Sequence, residues 1–222
     1  MNVARLLLQI TAEVEVCTKC RLAQTRTYAV PGVGTTEARI MFVGEGPGEQ
    51  EDLTGEPFVG KSGQLLTREL QKIGISRDAV FITNIVKCRP PQNRTPLTDE
   101  IEACNDWLGA QIALVEPKFI VPVGGPSLQT LVSKNLRITR ARSTVYRKEG
   151  ILFIPILHPS AALRAPDTMK MFLEDIANLK DFLNREIGEE EINDIGPPIR
   201  SRVTSPAEIA ITEEQDGNLS LF

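Results

Sequence analysis

Four cysteines, one histidine and a few short runs around glycine and asparagine are the residues of this chain best equipped for chemistry. Cys17 and Cys20 form a C-x2-C pair in the polar stretch CTKC, Cys88 lies in KCRPP, and Cys104 follows further on. Cysteine is often simply buried, but a close pair in polar surroundings and a third cysteine in a Pro/Arg loop are poor core positions. Four thiolates suit structural zinc or an iron–sulfur cluster. Zinc ligands more often come as two close pairs, so one close pair with two scattered partners leans toward the cluster. A thioredoxin-type pair is disfavoured, because Cys17 and Cys20 precede the first strand instead of following one.

The segment GEPFVGKS at 55–62 satisfies G-x4-G-K-[ST]. A true phosphate loop runs directly from a strand into a helix and turns its backbone N–H groups inward. Here the preceding strand ends near Val43, Pro57 removes one N–H, and Phe58 and Val59 are ill suited to a tight anion nest. Nucleotide binding is not expected. Three other loops are unusual: GEGPGEQED at 44–52, the turn at Asn84, and HPS at 158–160, which holds the only histidine.

The elements that must position these loops alternate. Apolar runs at Arg39–Val43, Ala79–Val86, Phe119–Val123 and Ile151–Leu157 read as strands, with Pro155 marking a bend or an edge in the last. Helical spacing marks Gln64–Ile73, Thr98–Glu116 with Thr98 as cap, Ser127–Val132 and Ala165–Arg185. Strands alternating with helices predict an α/β sandwich around a mainly parallel sheet. In such sheets ligands bind beyond the carboxyl ends of the strands, which is where the three unusual loops fall.

The formal charge of −4 argues at first against nucleic acid as a partner. Residues 184–222 hold three basic and nine acidic side chains, however, so the chain to Leu183 carries +2. Residues 1–183 are expected to be the folded domain, and 184–222 an acidic, flexible tail. No uncharged apolar run approaches the ~18 residues of a membrane span. No secretory signal is visible at the N-terminus, and a cytoplasmic monomer is expected.

CTKC, GEGPGEQED, GEPFVGKSG, TNIVKCRPPQNR, Cys104 and HPSAALR occur in an order that resembles the family 4 uracil-DNA glycosylases, the iron–sulfur branch of their superfamily. The match spans roughly residues 12–183. The resemblance implies a four-stranded parallel sheet between helices and a [4Fe–4S] cluster on Cys17, Cys20, Cys88 and Cys104. It implies a prokaryotic, nucleoid-associated repair enzyme that excises uracil from DNA. The alternative is a noncatalytic iron–sulfur DNA-binding module on the same fold.

The chemistry suits the residues. A base must leave the duplex before its glycosidic bond is cut. The Asn84 amide can satisfy uracil O4 and N3–H together, and Phe58 offers a stacking face. His158 is expected to donate to the uracil anion at O2, with further donors from the backbone of Gly44–Glu45–Gly46. Glu45 has three open roles: positioning water, countering the sugar cation, or excluding the methyl of thymine. Leu163 and Arg164 resemble the family's wedge into the vacated stack. No lysine stands in a nucleophile position; Lys61 reads as a phosphate or loop contact.

The terminal Asn218–Leu219–Ser220–Leu221–Phe222 resembles the pentapeptide with which bacterial repair proteins bind the replication sliding clamp, with Asn in place of the usual Gln. The tip of an acidic tail suits a tethered recognition peptide.

Overall fold

A computed structural model describes residues 2–196. Seven strands form one sheet: β1 (Val33–Gly34), β2 (Ile40–Gly44), β3 (Phe81–Asn84), β4 (Phe119–Pro122), β5 (Val145–Lys148), β6 (Ile151–Phe153) and β7 (Ile192–Asp194). Their spatial order is β1-β3-β2-β4-β6-β5-β7. The centre, β3-β2-β4-β6, is the expected parallel foursome. The sheet is wider than four strands, because β1 adds antiparallel to β3, and β5 and β7 extend the β6 edge.

Helices cover both faces. α1 (Val3–Val16), α4 (Thr98–Val115) and α5 (Gly125–Leu131) bury Ile10, Val14, Leu108 and Leu128 against Met41, Val43 and Ile120. α3 (Lys61–Lys72) and α8 (Pro166–Asn184) bury Leu66, Leu70, Phe172 and Ile176 against Phe42, Ile82 and Val121. Successive strand residues point to opposite faces, so Met41 and Val43 serve one core and Phe42 the other. The described residues also form the short α-helices α2 (Glu49–Thr54), α6 (Ile138–Ala141) and α7 (Pro159–Ala162).

The ends of two elements refine the sequence expectation. Thr98 is the first helical residue of α4, not its cap. The cap is Leu97, whose N–H donates to the Glu100 carboxylate at 2.8 Å. Pro155 lies just beyond β6 and does not interrupt the bonding toward β4, since Ile154 and Ile156 donate to Ile120 and Pro122, both at 3.0 Å; its other side is unpaired, the edge position the sequence suggests. The N–H that proline lacks would face the β5 side, where that strand has not yet begun.

The chain also stays on the body past Leu183. Arg185 pairs with Asp181 and Glu191, β7 joins β5, and Arg147 clasps Glu189 and Asp194. The boundary expected at 183/184 therefore falls inside packed chain, and the sequence to Gly196 carries −2, not +2. The pentapeptide 218–222 lies outside the described residues.

Candidate active site

Parallel register sets Gly44 beside Asn84 at the carboxyl ends of β2 and β3. A side chain at position 44 would collide with the Asn84 amide and lie 2.6 Å from Phe58 Cζ, so only glycine lets these groups meet. Asn84 is 2% exposed. Its main-chain oxygen accepts from Lys87 Nζ at 2.9 Å, while its side-chain amide has no hydrogen bond to any described residue. A buried amide without a protein partner is costly, and here it faces Phe58.

Phe58 is buried with φ at +54°, a strained value for an aromatic residue. The strain is held from two sides. Arg77 donates to the carbonyls of Pro57 and Phe58. The Glu51 carboxylate accepts from the N–H groups of Val59 (2.9 Å), Gly60 (2.8 Å) and Gly48 (3.1 Å). The GEPFVGKS loop thus connects α2 to α3, not a strand to a helix. It does cradle an anion, and that anion is the protein's own Glu51. Sequence reading passed over Glu51 and Arg77. Glu51 had a signal: G-x-x-E at 48–51 has the spacing by which a third-position acid reaches back to a cap N–H.

His158 follows β6 and caps α7. Gly124, with φ at +94°, packs against it; a Cβ there would sit 3.1 Å from that of His158. The Ser160 N–H donates to His158 Nδ1 at 3.1 Å, and Ser160 Oγ lies 2.7 Å away. Nδ1 is therefore the acceptor, and the ring proton sits on Nε2. Burial, aided by the Arg164 charge and opposed by Glu51, pushes the pKa of His158 down to about 4. At neutral pH the ring is an uncharged donor. It lies 6.1 Å from the Phe58 ring, centroid to centroid, at a tilt of 33°.

Glu45 and Gly46 continue from Gly44. The Glu45 carboxylate is half-buried and bonds to no described residue; its main-chain oxygen accepts from Val86 at 3.4 Å. The N–H groups of Glu45 and Gly46 donate to no described group. Leu163 and Arg164 are exposed where α7 ends.

The four cysteines form a separate site. Cys17 caps the end of α1, Cys20 opens the next turn, Cys88 follows β3 and Cys104 lies in α4. All four are free thiols lining one cavity, together with Lys87 and Trp107. Arg26 Nη1 donates to Cys88 Sγ at 2.9 Å, and the Lys87 N–H to Cys104 Sγ at 3.2 Å. Burial pushes the Cys104 thiol up to about 12 and raises that of Cys88. Such thiols ionise readily only against a metal.

The two sites touch. Pro90, two residues beyond Cys88, packs near Gly46, and Val86 leaves no room for a side chain there. The loop that continues, Pro91–Asn93, is exposed.

Residues 31–180 match the uracil DNA glycosylase superfamily model. The chain is 47% identical over 183 residues to a type-4 uracil-DNA glycosylase of Sulfurisphaera tokodaii, covering 78% of this chain and 83% of that one. It is 45% identical to the type-4 enzyme of Thermotoga maritima, over 81% of this chain and 96% of the relative. It is 40% identical to that of Archaeoglobus fulgidus, over 80% and 93%. With its site geometry and these matches along most of its length, the chain belongs to the type-4 uracil-DNA glycosylases of the uracil DNA glycosylase superfamily.

Proposed function

We infer that the protein hydrolyses the bond between uracil and deoxyribose in DNA and leaves an abasic site. The observation that carries this reading is the buried side chain of Asn84, whose amide bonds to no described residue, beside Phe58, with the His158 ring 6.1 Å from that of Phe58. In a flipped nucleotide, Asn84 Nδ2 donates to uracil O4 and Oδ1 accepts from N3–H, while Phe58 stacks on the ring. Cytosine reverses both hydrogen bonds and leaves buried groups unpaired, at about 1–3 kcal/mol each.

Bond breaking places negative charge on uracil O2 and positive charge on the sugar. His158 Nε2–H and the unused N–H groups of Glu45 and Gly46 are the donors available to that oxygen. The uncommitted Glu45 carboxylate serves the sugar side, as water orienter or counter-charge. With no lysine in a nucleophile position, the reaction stops at the abasic site and the strand is left intact.

The cysteine cavity suits a [4Fe–4S] cluster held by Cys17, Cys20, Cys88 and Cys104. Its contribution is structural: it ties α1, α4 and the segment after β3 behind the 88–94 loop, which is exposed at residues 91–93. That loop contacts DNA phosphates, and Leu163 and Arg164 fill the gap left by the flipped base. Residues 218–222 bind the sliding clamp.

Excision from a uracil-containing oligonucleotide, read as alkali-labile breaks, tests the reading. Binding without breaks identifies a noncatalytic module instead.

A further inference from the structure

Lys87 lies between the two sites. Its side chain is 1% exposed. The ammonium meets three oxygens: Thr83 Oγ1 at 2.6 Å, Gln111 Oε1 at 2.7 Å and the main-chain oxygen of Asn84 at 2.9 Å. All three belong to neutral groups. Lys87 lines the same cavity as the four cysteines. Its own N–H donates to Cys104 Sγ. A buried ammonium without a counter-charge is strongly disfavoured. The negative charge near enough to compensate it is that of the cysteine sulfurs once they hold a cluster.

The oxygens are themselves anchored. Thr83 Oγ1 and Gln111 Nε2 both donate to the Pro31 carbonyl, at 2.9 and 2.8 Å. The ammonium therefore ties the end of β3 to α4 and to the 31 region at the residue whose amide faces the pocket. We propose that Lys87 is the counter-ion of the cluster and the positioning residue of Asn84, so that the cluster's charge and the geometry of base readout are coupled through one side chain. This rests on the cluster reading above.

The test compares purified wild-type protein with Lys87→Met, which keeps the length and removes the charge. Iron content of the wild type is measured first; a protein purified anaerobically without iron overturns the cluster reading and this inference with it. In iron-loaded protein, film voltammetry reads the midpoint potential, and single-turnover kinetics on a uracil oligonucleotide separate excision from DNA affinity.

Removing a positive charge disfavours the more negative, reduced cluster, so the potential of Lys87→Met falls. Its excision constant drops at least tenfold, while DNA affinity stays within twofold, since misplacement of a reading group by about 1 Å is costly. A potential equal to that of the wild type, or excision at the wild-type rate, overturns the proposal. If Lys87→Met does not fold with iron, Gln111→Glu decides. It sets a carboxylate against the ammonium, and the potential then falls; an unchanged potential overturns the counter-ion role.

Discussion

Asn84 carries two hydrogen-bonding groups into a pocket where the protein satisfies neither. Replacing it with Ala removes both contacts to uracil and is expected to lower single-turnover excision about a hundredfold or more, with the oligonucleotide still bound. His158 is the only histidine, so its NMR signal needs no assignment. We expect it to titrate near pH 4, not near 6.5. Because the folded pKa lies below the unfolded one, the unfolded chain takes up a proton between these values and the folded chain does not. The stability linked to His158 is then complete above pH 6.5 and is lost as the pH falls toward 4. His158→Ala should slow excision by about two to three orders of magnitude, as loss of an oxyanion donor does. For Glu45, substitution by Gln is expected to cut single-turnover excision well over tenfold; near-normal rates would remove it from the chemistry.

At the scale of elements, the α2–α3 connection shows how a misleading motif arises. G-x4-G-K-S matches a phosphate loop in letters, and its N–H groups do converge, but on Glu51 from the preceding helix. Glu51→Gln weakens charge-assisted bonds worth about 1.5–3 kcal/mol each and frees Phe58 from its strained backbone. A lower Tm together with at least tenfold slower excision is the expected pair of results; lower stability with normal excision would mean that Phe58 holds its place without the loop. The motif letters could not reveal this, because the deciding fact is which element enters the loop. The elements that bear Cys17 and Cys20, Cys88, and Cys104 are linked in the same way through one cavity. Cys88→Ala should lower iron content and soluble yield, and full iron retention would refute its role as ligand.

For the whole molecule, charge is the quantity most changed by the fold. The chain to Gly196 is net negative, and the acids around β7 stay on the body through Arg147 and Arg185. DNA must therefore be met by a local set of cations, among which Arg164 stands exposed beside the pocket. Arg164→Ala is expected to weaken binding about equally across sequences and to reduce the salt slope by about one, measured by titration at several salt concentrations. No helix of the described residues is long and apolar enough to cross a membrane. A pull-down comparing the full chain with one lacking residues 218–222 tests the clamp contact, which should vanish with the peptide.

The strand–helix alternation and the parallel centre of the sheet were legible in the sequence by itself, because they depend on local periodicity; Asn84, Phe58 and His158 stood out there through residue type together with the family resemblance. The tautomer of His158, the strained turn at Phe58, the occupation of the loop by Glu51 and the bridge made by Lys87 were decided only by tertiary structure. Each depends on which buried donor meets which acceptor across chain-distant elements. Burial makes those pairings costly to leave unmade, and the sequence does not display them.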